Sequence, residues 1–237
     1  MSGAKDIRLK PVPAALARKT IEKYHYSGTS GVNSQLHVGV YLGASLEGAM
    51  QLGPPLDKRK LLGLVEGTPW DGMLELNRMA FSDRLPANAE SRALGVLARI
   101  IRKHMPRVRW VVSFADATQC GDGTIYRAAG YLLTAIRASR NLVRLPNGST
   151  IHKMTLESSP TKPRAELGGR SYFDVTGGRY DLRAYVAATG GEVIPGHQLR
   201  YVKFIDPAWR PHLTVEPLPY SAIAEAGAGM YLGKPRT

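Results

Sequence analysis

Residues 73–117 read MLELNRMAFSDRLPANAESRALGVLARIIRKHMPRVRWVVSFADA. The first nine, Met73 to Phe81, have the length and side-chain mix of a strand, with Leu76, Arg78 and Ala80 alternating against Asn77, Met79 and Phe81. Asn88 then stands where a helix N-cap belongs. Glu90 and Ser91 follow in the first turn, apolar residues recur at helical spacing, and Arg102, Lys103 and His104 close the run. Pro106 ends the helix, and Arg107 to Ala117, rich in Val, Trp and Phe, predicts a second strand. A strand, a long helix and another strand in succession imply a helix packed on a sheet.

Working outward, Asp6 to Val12 predicts a short strand and Ala14 to Tyr24 a helix, broken by the loop SGTSGVNSQ. Leu36–Leu42 and Leu46–Leu52 read as strands around a turn at Gly43, which with Met73–Phe81 makes a three-stranded meander. Downstream, DGTIYRAAG reads as a short helix ending at Gly130, and YLLTAI as a strand. NLVRL and TIHKMTL flank the turn PNGS, YDLRAYVAA predicts a helix and LRYVKFID a strand. The expected class is α/β (α+β): a central mixed, mostly antiparallel sheet flanked by helices. Residues 1–160 are expected to form one domain, with 161–237 an extension packed on it.

The 237 residues carry 32 Lys+Arg against 19 Asp+Glu, a net charge of +13, which points to a polyanionic partner. The excess is clustered, since neither the stretch Arg92–Arg109 nor Tyr126–Met154 contains an acid, and clustering favours phosphate contacts. A merely soluble basic surface is the plainer reading. With 43% hydrophobic and 22% charged residues, the composition is that of a globular protein rather than a disordered one. The single cysteine, Cys120, excludes an intrachain disulfide and a thiolate zinc cluster. The opening MSGAKDIRLKPVP has no apolar block of the kind a secretory signal needs, and no run approaches the ~20 apolar residues of a membrane span. A cytoplasmic location is expected.

Three blocks carry a family resemblance: EKYHYSG at 22–28, LELNRMAFSD at 74–83 and VVSFADATQCGDGTIYRAAGYLLT at 111–134. They resemble the Mom family of phage DNA-modification proteins, and the order strand, helix, three strands, helix, strand, helix, strand resembles the GNAT acyltransferase fold. The resemblance implies an enzyme that converts the exocyclic amine of adenine in phage DNA to a carbamoylmethyl derivative, shielding the DNA from host restriction enzymes. It implies double-stranded DNA as substrate, with the adenine flipped out of the helix. An ordinary GNAT N-acyltransferase acting on a small-molecule or protein amine is the alternative.

By the same resemblance the catalytic set is His25, Tyr26, Arg78, Asp116 and Tyr126. His25 and Tyr26 are placed to line a base pocket, whereas their neighbour Tyr24 suits a core aromatic. Arg78 and Asp116 sit on strands expected to splay at the active site, Asp116 holding the amine or taking its proton and Arg78 steadying negative charge on an acyl oxygen. A structural Arg–Asp ion pair is the plainer alternative. Tyr126 falls where many GNAT enzymes keep a tyrosine that protonates the leaving group; a simple sheet contact is its alternative. Ser113 and Thr124 are lesser helpers, and Cys120 reads as a passive thiol.

Donor phosphates are expected near Asn88, Ala89, Ser91 and Arg92 at the helix start. The run PANAESRALG, however, holds Gly95 alone where a glycine-rich phosphate loop belongs, and Glu90 opposes an anion. The donor is thus either acetyl coenzyme A, as in the fold family, or a glycine-charged transfer RNA. Arg99, Arg102, Lys103 and Arg107, with Arg137, Arg140 and Arg144, are the expected DNA contacts, a solvated basic face being their alternative. A metal held by His25, Tyr26, Asp116 and Tyr126 is conceivable; His37, His104, His152, His197 and His212 lack ligand spacing and read as surface or satisfied core residues.

Overall fold

The computed structural model describes residues 3–31, 33–119, 121–231 and 234–235. The strands of its main sheet are β1 (Ile7–Pro11), β2 (Leu36–Leu42), β3 (Ser45–Gly53), β4 (Met73–Phe81), β5 (Trp110–Asp116), β6 (Leu132–Arg144), β7 (Thr150–His152) and β8 (Glu192–Phe204). The helices are α1 (Ala14–Tyr24), α2 (Lys58–Leu62), α3 (Ala89–His104), α4 (Thr124–Ala128), α5 (Lys153–Glu157), α6 (Tyr172–Thr176), α7 (Leu182–Thr189) and α8 (Ser221–Glu225). Among the described residues no helix is long and apolar enough to cross a membrane.

The eight strands form one sheet in the order β1-β2-β3-β4-β5-β8-β6-β7. Only β4 and β5 are paired in parallel, because α3 carries the chain back between them. Their paired register runs just from Met73–Trp110 to Glu75–Val112. Beyond it both strands continue, β4 to Phe81 and β5 to Asp116, held only by their outer neighbours β3 and β8. The expected mixed, mostly antiparallel sheet with flanking helices is thus present, and through β6 the elements follow the expected order except for the short helix α2 between β3 and β4.

Each face of the sheet has its own cover. On one, Leu94, Leu97 and Ile101 of α3 pack against Val38, Val40, Met50, Leu52, Leu76, Val111 and Ala115, together with Tyr126, Tyr131 and Tyr201. On the other, Ala17 and Ile21 of α1 meet Ala49 and Ala80, while Leu64 and Val65 cover Met73, Trp110, Val112 and Val202. The small helices between β7 and β8 bury Leu156, Leu167, Tyr172 and Tyr185 against Val143 of β6 and Leu145 just after it.

Three local expectations are corrected, and one expected strand is placed. TIHKMTL is a strand only to His152, whose Nδ1 accepts the Met154 N–H (3.1 Å) and so starts α5. YLLTAI and NLVRL belong to one long strand, β6, whose pairing with β8 shifts register twice. Asn88 precedes α3 as expected but caps it by no side-chain bond; its φ of 65° lies in the left-handed region that Asn tolerates. Finally, LRYVKFID enters the sheet centre, since β8 separates β5 from β6.

Candidate active site

The widening gap between β4 and β5 is built by sequence detail in β4. Gln51 pairs with Arg78 and Leu52 with Leu76, so Asn77 is an extra residue, a β-bulge. The bulge overturns the simple alternation. Leu76 and Met79 turn to the α3 face, whereas Arg78 and Ala80 join Glu75 on the α1 face. Asn77 Oδ1 accepts the Ser34 hydroxyl (3.1 Å), which ties the loop after α1 to the bulge. Arg78 is then held by carbonyls: its Nη1 donates to Asn77 (2.7 Å) and its Nε to Thr29 (3.4 Å).

Around that guanidinium the structure gathers groups from four elements. His25 closes α1, its ring stacked on Tyr26 at 4.3 Å and its Nδ1 accepting the Ser27 N–H (3.2 Å). Burial, and then the Arg78 charge, push its imidazole down to about 4, so it is neutral at pH 7. Tyr26 leaves half its surface, 53%, open to solvent. Asp116, at the end of β5, accepts the Thr118 N–H at Oδ1 (2.9 Å) and the Gln119 amide at Oδ2 (3.4 Å). His152 of β7 feels both charges: burial and Arg78 lower it, while Asp116 acts the other way. His25, Arg78 and Asp116 therefore converge on one cleft, with Arg78 bonded to carbonyls rather than to the Asp116 carboxylate.

Two cleft residues escaped the sequence reading. Glu75, the last β4 residue paired with β5, is partly buried, and burial raises its carboxyl to about 7 against the opposing pull of Arg78 and Asn77. His152 lacks ligand spacing along the chain, yet β7 brings it to the cleft. A carboxylate three residues before an arginine is an ordinary helix or surface pattern; only the bulge puts Glu75 and Arg78 on one face. His37, by contrast, is a satisfied histidine, its Nδ1 within 3.4 Å of the Gln51 amide.

Tyr126 lies elsewhere. It is 7% exposed and packs on the α3 side of the sheet between Tyr131 (5.3 Å) and Tyr201 (5.1 Å), apart from the Arg78 face. A metal shared by His25, Tyr26, Asp116 and Tyr126 does not match that separation, and among the described residues no three His, Cys, Asp or Glu are grouped for a metal. Ser113 is fully buried, and Thr124 donates to Asp122 Oδ1 (2.7 Å) at the start of α4. Cys120 lies outside the described residues.

The turn from β4 to α3 already uses part of the backbone N–H set that a coenzyme A pyrophosphate would need. Such a group needs free backbone N–H groups and no fixed anion. Here Arg84 N–H donates to Ser82 Oγ, Leu85 N–H to the Ser82 carbonyl and Ala89 N–H to the Pro86 carbonyl. Beneath the turn stands Glu47, 2% exposed, which accepts the hydroxyls of Ser45 and Ser82 (2.6 Å each) and pairs with Arg84 at 3.3 Å. Hydrogen bonds from Ser45 and Ser82 hold its carboxyl below the ordinary range, so it is charged at neutral pH. Ala89 is buried, Ser91 donates to the Asn88 carbonyl (3.2 Å), and Arg92 is exposed.

The basic residues fall into two groups. Arg99, Arg102, Lys103 and Arg107 sit at the C-terminal end of α3, where Arg102 Nε donates to the Ile205 carbonyl (2.7 Å) and Arg107 meets Asp71 (3.0 Å). That end adjoins the start of β5, roughly 20 Å along the strand from Asp116. Arg137 and Arg140 are exposed on β6, and Arg137 is in register with Gln198 and, through it, Asp116. Arg144 pairs with Glu192 at 2.7 Å.

Over 130 residues the chain is 40% identical to "Methylcarbamoylase mom" of Escherichia phage Mu, covering 54% of each sequence, so it spans about half the length of this curated relative. Solved structures with a similar run of elements include the ribosomal-protein-S18-alanine N-acetyltransferase from Escherichia coli (TM-score 0.41, 11% identity, 84% of this chain and 94% of that). Another is the IAA acetyltransferase from Bacillus cereus (TM-score 0.43, 9% identity, 84% and 99%). Likeness of that degree carries nothing about substrate. The sequence profile of the Mom protein family matches residues 6–222, all of the sheet and every candidate catalytic residue included, and the chain belongs to that family.

Proposed function

We propose that this protein methylcarbamoylates the exocyclic amine of adenine in double-stranded DNA, the adenine being flipped into the cleft between β4 and β5. The observation that carries the reading is the 40% identity to a methylcarbamoylase over a stretch in a chain whose cleft gathers His25, Arg78 and Asp116. The net charge of +13 suits a polyanionic substrate. Flipping costs a few kcal/mol, which stacking on an exposed aromatic offsets; Tyr26 is such a ring at the cleft mouth. Asp116 accepts the adenine amine, and Arg78 steadies charge on the acyl oxygen. Tyr126 packs behind the sheet, so the leaving-group proton that the resemblance would give to it comes instead through solvent. Modified DNA would escape host restriction enzymes.

The self-bonded turn over Glu47 favours a donor other than a coenzyme A thioester, and a glycyl ester of transfer RNA meets the chemistry. Its transfer yields N-glycyladenine. Attack of the glycyl amine on the ring carbon, with departure of the amide nitrogen, gives the isomeric carbamoylmethyl adenine without any further reagent.

Mass spectrometry of nucleosides from bacteria expressing the protein tests the activity, beside a folded Asp116→Asn control. Deoxyadenosine heavier by one glycine residue, and absent from the control, is the expected result. Unaltered deoxyadenosine in both would transfer the reading to acylation of a small-molecule or protein amine. Purified protein given DNA with either glycyl transfer RNA or acetyl coenzyme A identifies the donor.

A further inference from the structure

The side chain best placed to take a proton in the cleft is one that the chain's motifs do not single out. We propose that Glu75 is the general base of the reaction, removing the proton from the adenine amine as it attacks, with the Arg78 charge on the same face of the sheet. The inference rests on the DNA-adenine reading given above.

Position comes first. Glu75 is the last residue of β4 in register with β5, opposite Val112, so its side chain stands where the two strands begin to part. The bulge at Asn77 puts Arg78 on the same face. The groups that face Glu75 are few. Arg78 and Asn77 come from its own strand, and the paired positions on either side are Gly53 of β3 and Val112 of β5, neither of which titrates.

Three other acid–base groups of the cleft, Asp116, His25 and His152, already accept hydrogen bonds within the protein, His152 Nδ1 that of the Met154 N–H. Both carboxylate oxygens of Asp116 already accept protein hydrogen bonds, from Thr118 and Gln119, which anchors the turn after β5. His25 Nδ1 accepts the Ser27 N–H, and burial makes the ring a poor proton acceptor, near 4. Glu75, raised to about 7 by burial, is in the range where a general base works best at neutral pH.

In the step itself, the adenine nitrogen attacks the carbonyl carbon of the glycyl ester and forms the N–C bond, while its proton passes to the Glu75 carboxylate. The tetrahedral oxyanion, facing Arg78, collapses and breaks the ester C–O bond. The ribose oxygen leaves and takes up a proton through solvent as Glu75 gives its own back. Donor ester and adenine become N-glycyladenine and the free ribose hydroxyl, with Glu75 ionised again.

Single-turnover modification of a duplex, measured against pH for wild type, Glu75→Gln and Glu75→Asp, tests this beside DNA affinity by fluorescence anisotropy. The wild-type rate should rise with pH through about 7, as the raised carboxyl ionises. Glu75→Gln should lose about 10²–10⁴-fold in rate and lose that limb, with affinity unchanged within about twofold. Glu75→Asp should keep a limb at an intermediate rate. A glutamine variant that keeps either its rate or the limb overturns the proposal. Carboxyl-carbon NMR of the full chain gives a readout free of turnover: a Glu75 resonance titrating at an ordinary glutamate pH overturns the proposal too. A wild-type chain that binds DNA but modifies none, with Glu75 titrating near neutrality, instead counts against the adenine reading.

Discussion

At the residue where α1 stops, His25 shows how the cleft trades stability for chemistry. Its ring gives up hydration to sit against Tyr26 and within reach of the Arg78 charge, and both effects favour the neutral form. The sign of the linkage follows. Between about pH 6.5 and 4 the unfolded chain binds a proton at His25 that the folded chain refuses, so stability falls as pH drops through that window. His25→Gln should remove this share of the slope. Urea unfolding followed across the window checks it, and parallel stability curves for wild type and variant would show that the ring is not held neutral by the fold.

Among the elements, β4 and the loop after α1 make the site together. Gly31 N–H donates to Gln51 Oε1 (3.0 Å), Gln35 N–H to the Leu52 carbonyl (2.8 Å) and Ser34 to the bulged Asn77, so three bonds lay the loop along β3 and β4. This close approach depends on Gly53, where an added Cβ would stand 2.1 Å from the Asn33 carbonyl oxygen. Gly53→Ala should cost about 1–3 kcal/mol through that overlap and lower activity by pushing the loop off the cleft. Gly63→Ala, whose Cβ meets nothing within 4 Å and whose φ is −68°, is the matching control and should be neutral or stabilising by about 0.4–1 kcal/mol. Thermal melts and the modification assay on both variants separate the two; equal melting points would mean the loop moves freely.

For the whole molecule, the sheet sets which positive charges reach a DNA docked over the cleft. Arg137 and Arg140 lie on the β6 side of the opening, exposed, whereas Arg107 lies at the far end of α3 beside Asp71. Each of Arg137→Ala and Arg140→Ala should lower the slope of log affinity against log salt by about one, and Arg107→Ala should change it little. Binding isotherms over a salt series test this. Equal losses at all three positions would mean that charge acts diffusely and the cleft face is not the docking face.

Much of the fold was legible because it is written locally. The period of Met73–Phe81, the first-turn acid and last-turn bases of α3, Pro106 and the Val-rich run to Asp116 each predicted an element, and the blocks around His25, Arg78 and Asp116 marked the residues that meet in the cleft. Short elements misled where a side chain decided the ending, as His152 does by starting α5. What the sequence by itself determined was which segments are strands and helices and that the surface is basic, since propensity, periodicity and charge are properties of neighbours along the chain. Tertiary structure alone decided that Asn77 bulges, that Glu75 therefore shares a face with Arg78, that Tyr126 lies behind the sheet and that β8 enters between β5 and β6. Register and strand order are chosen by burial summed over partners far apart in sequence, and a one-residue shift in pairing turns every later side chain to the opposite face.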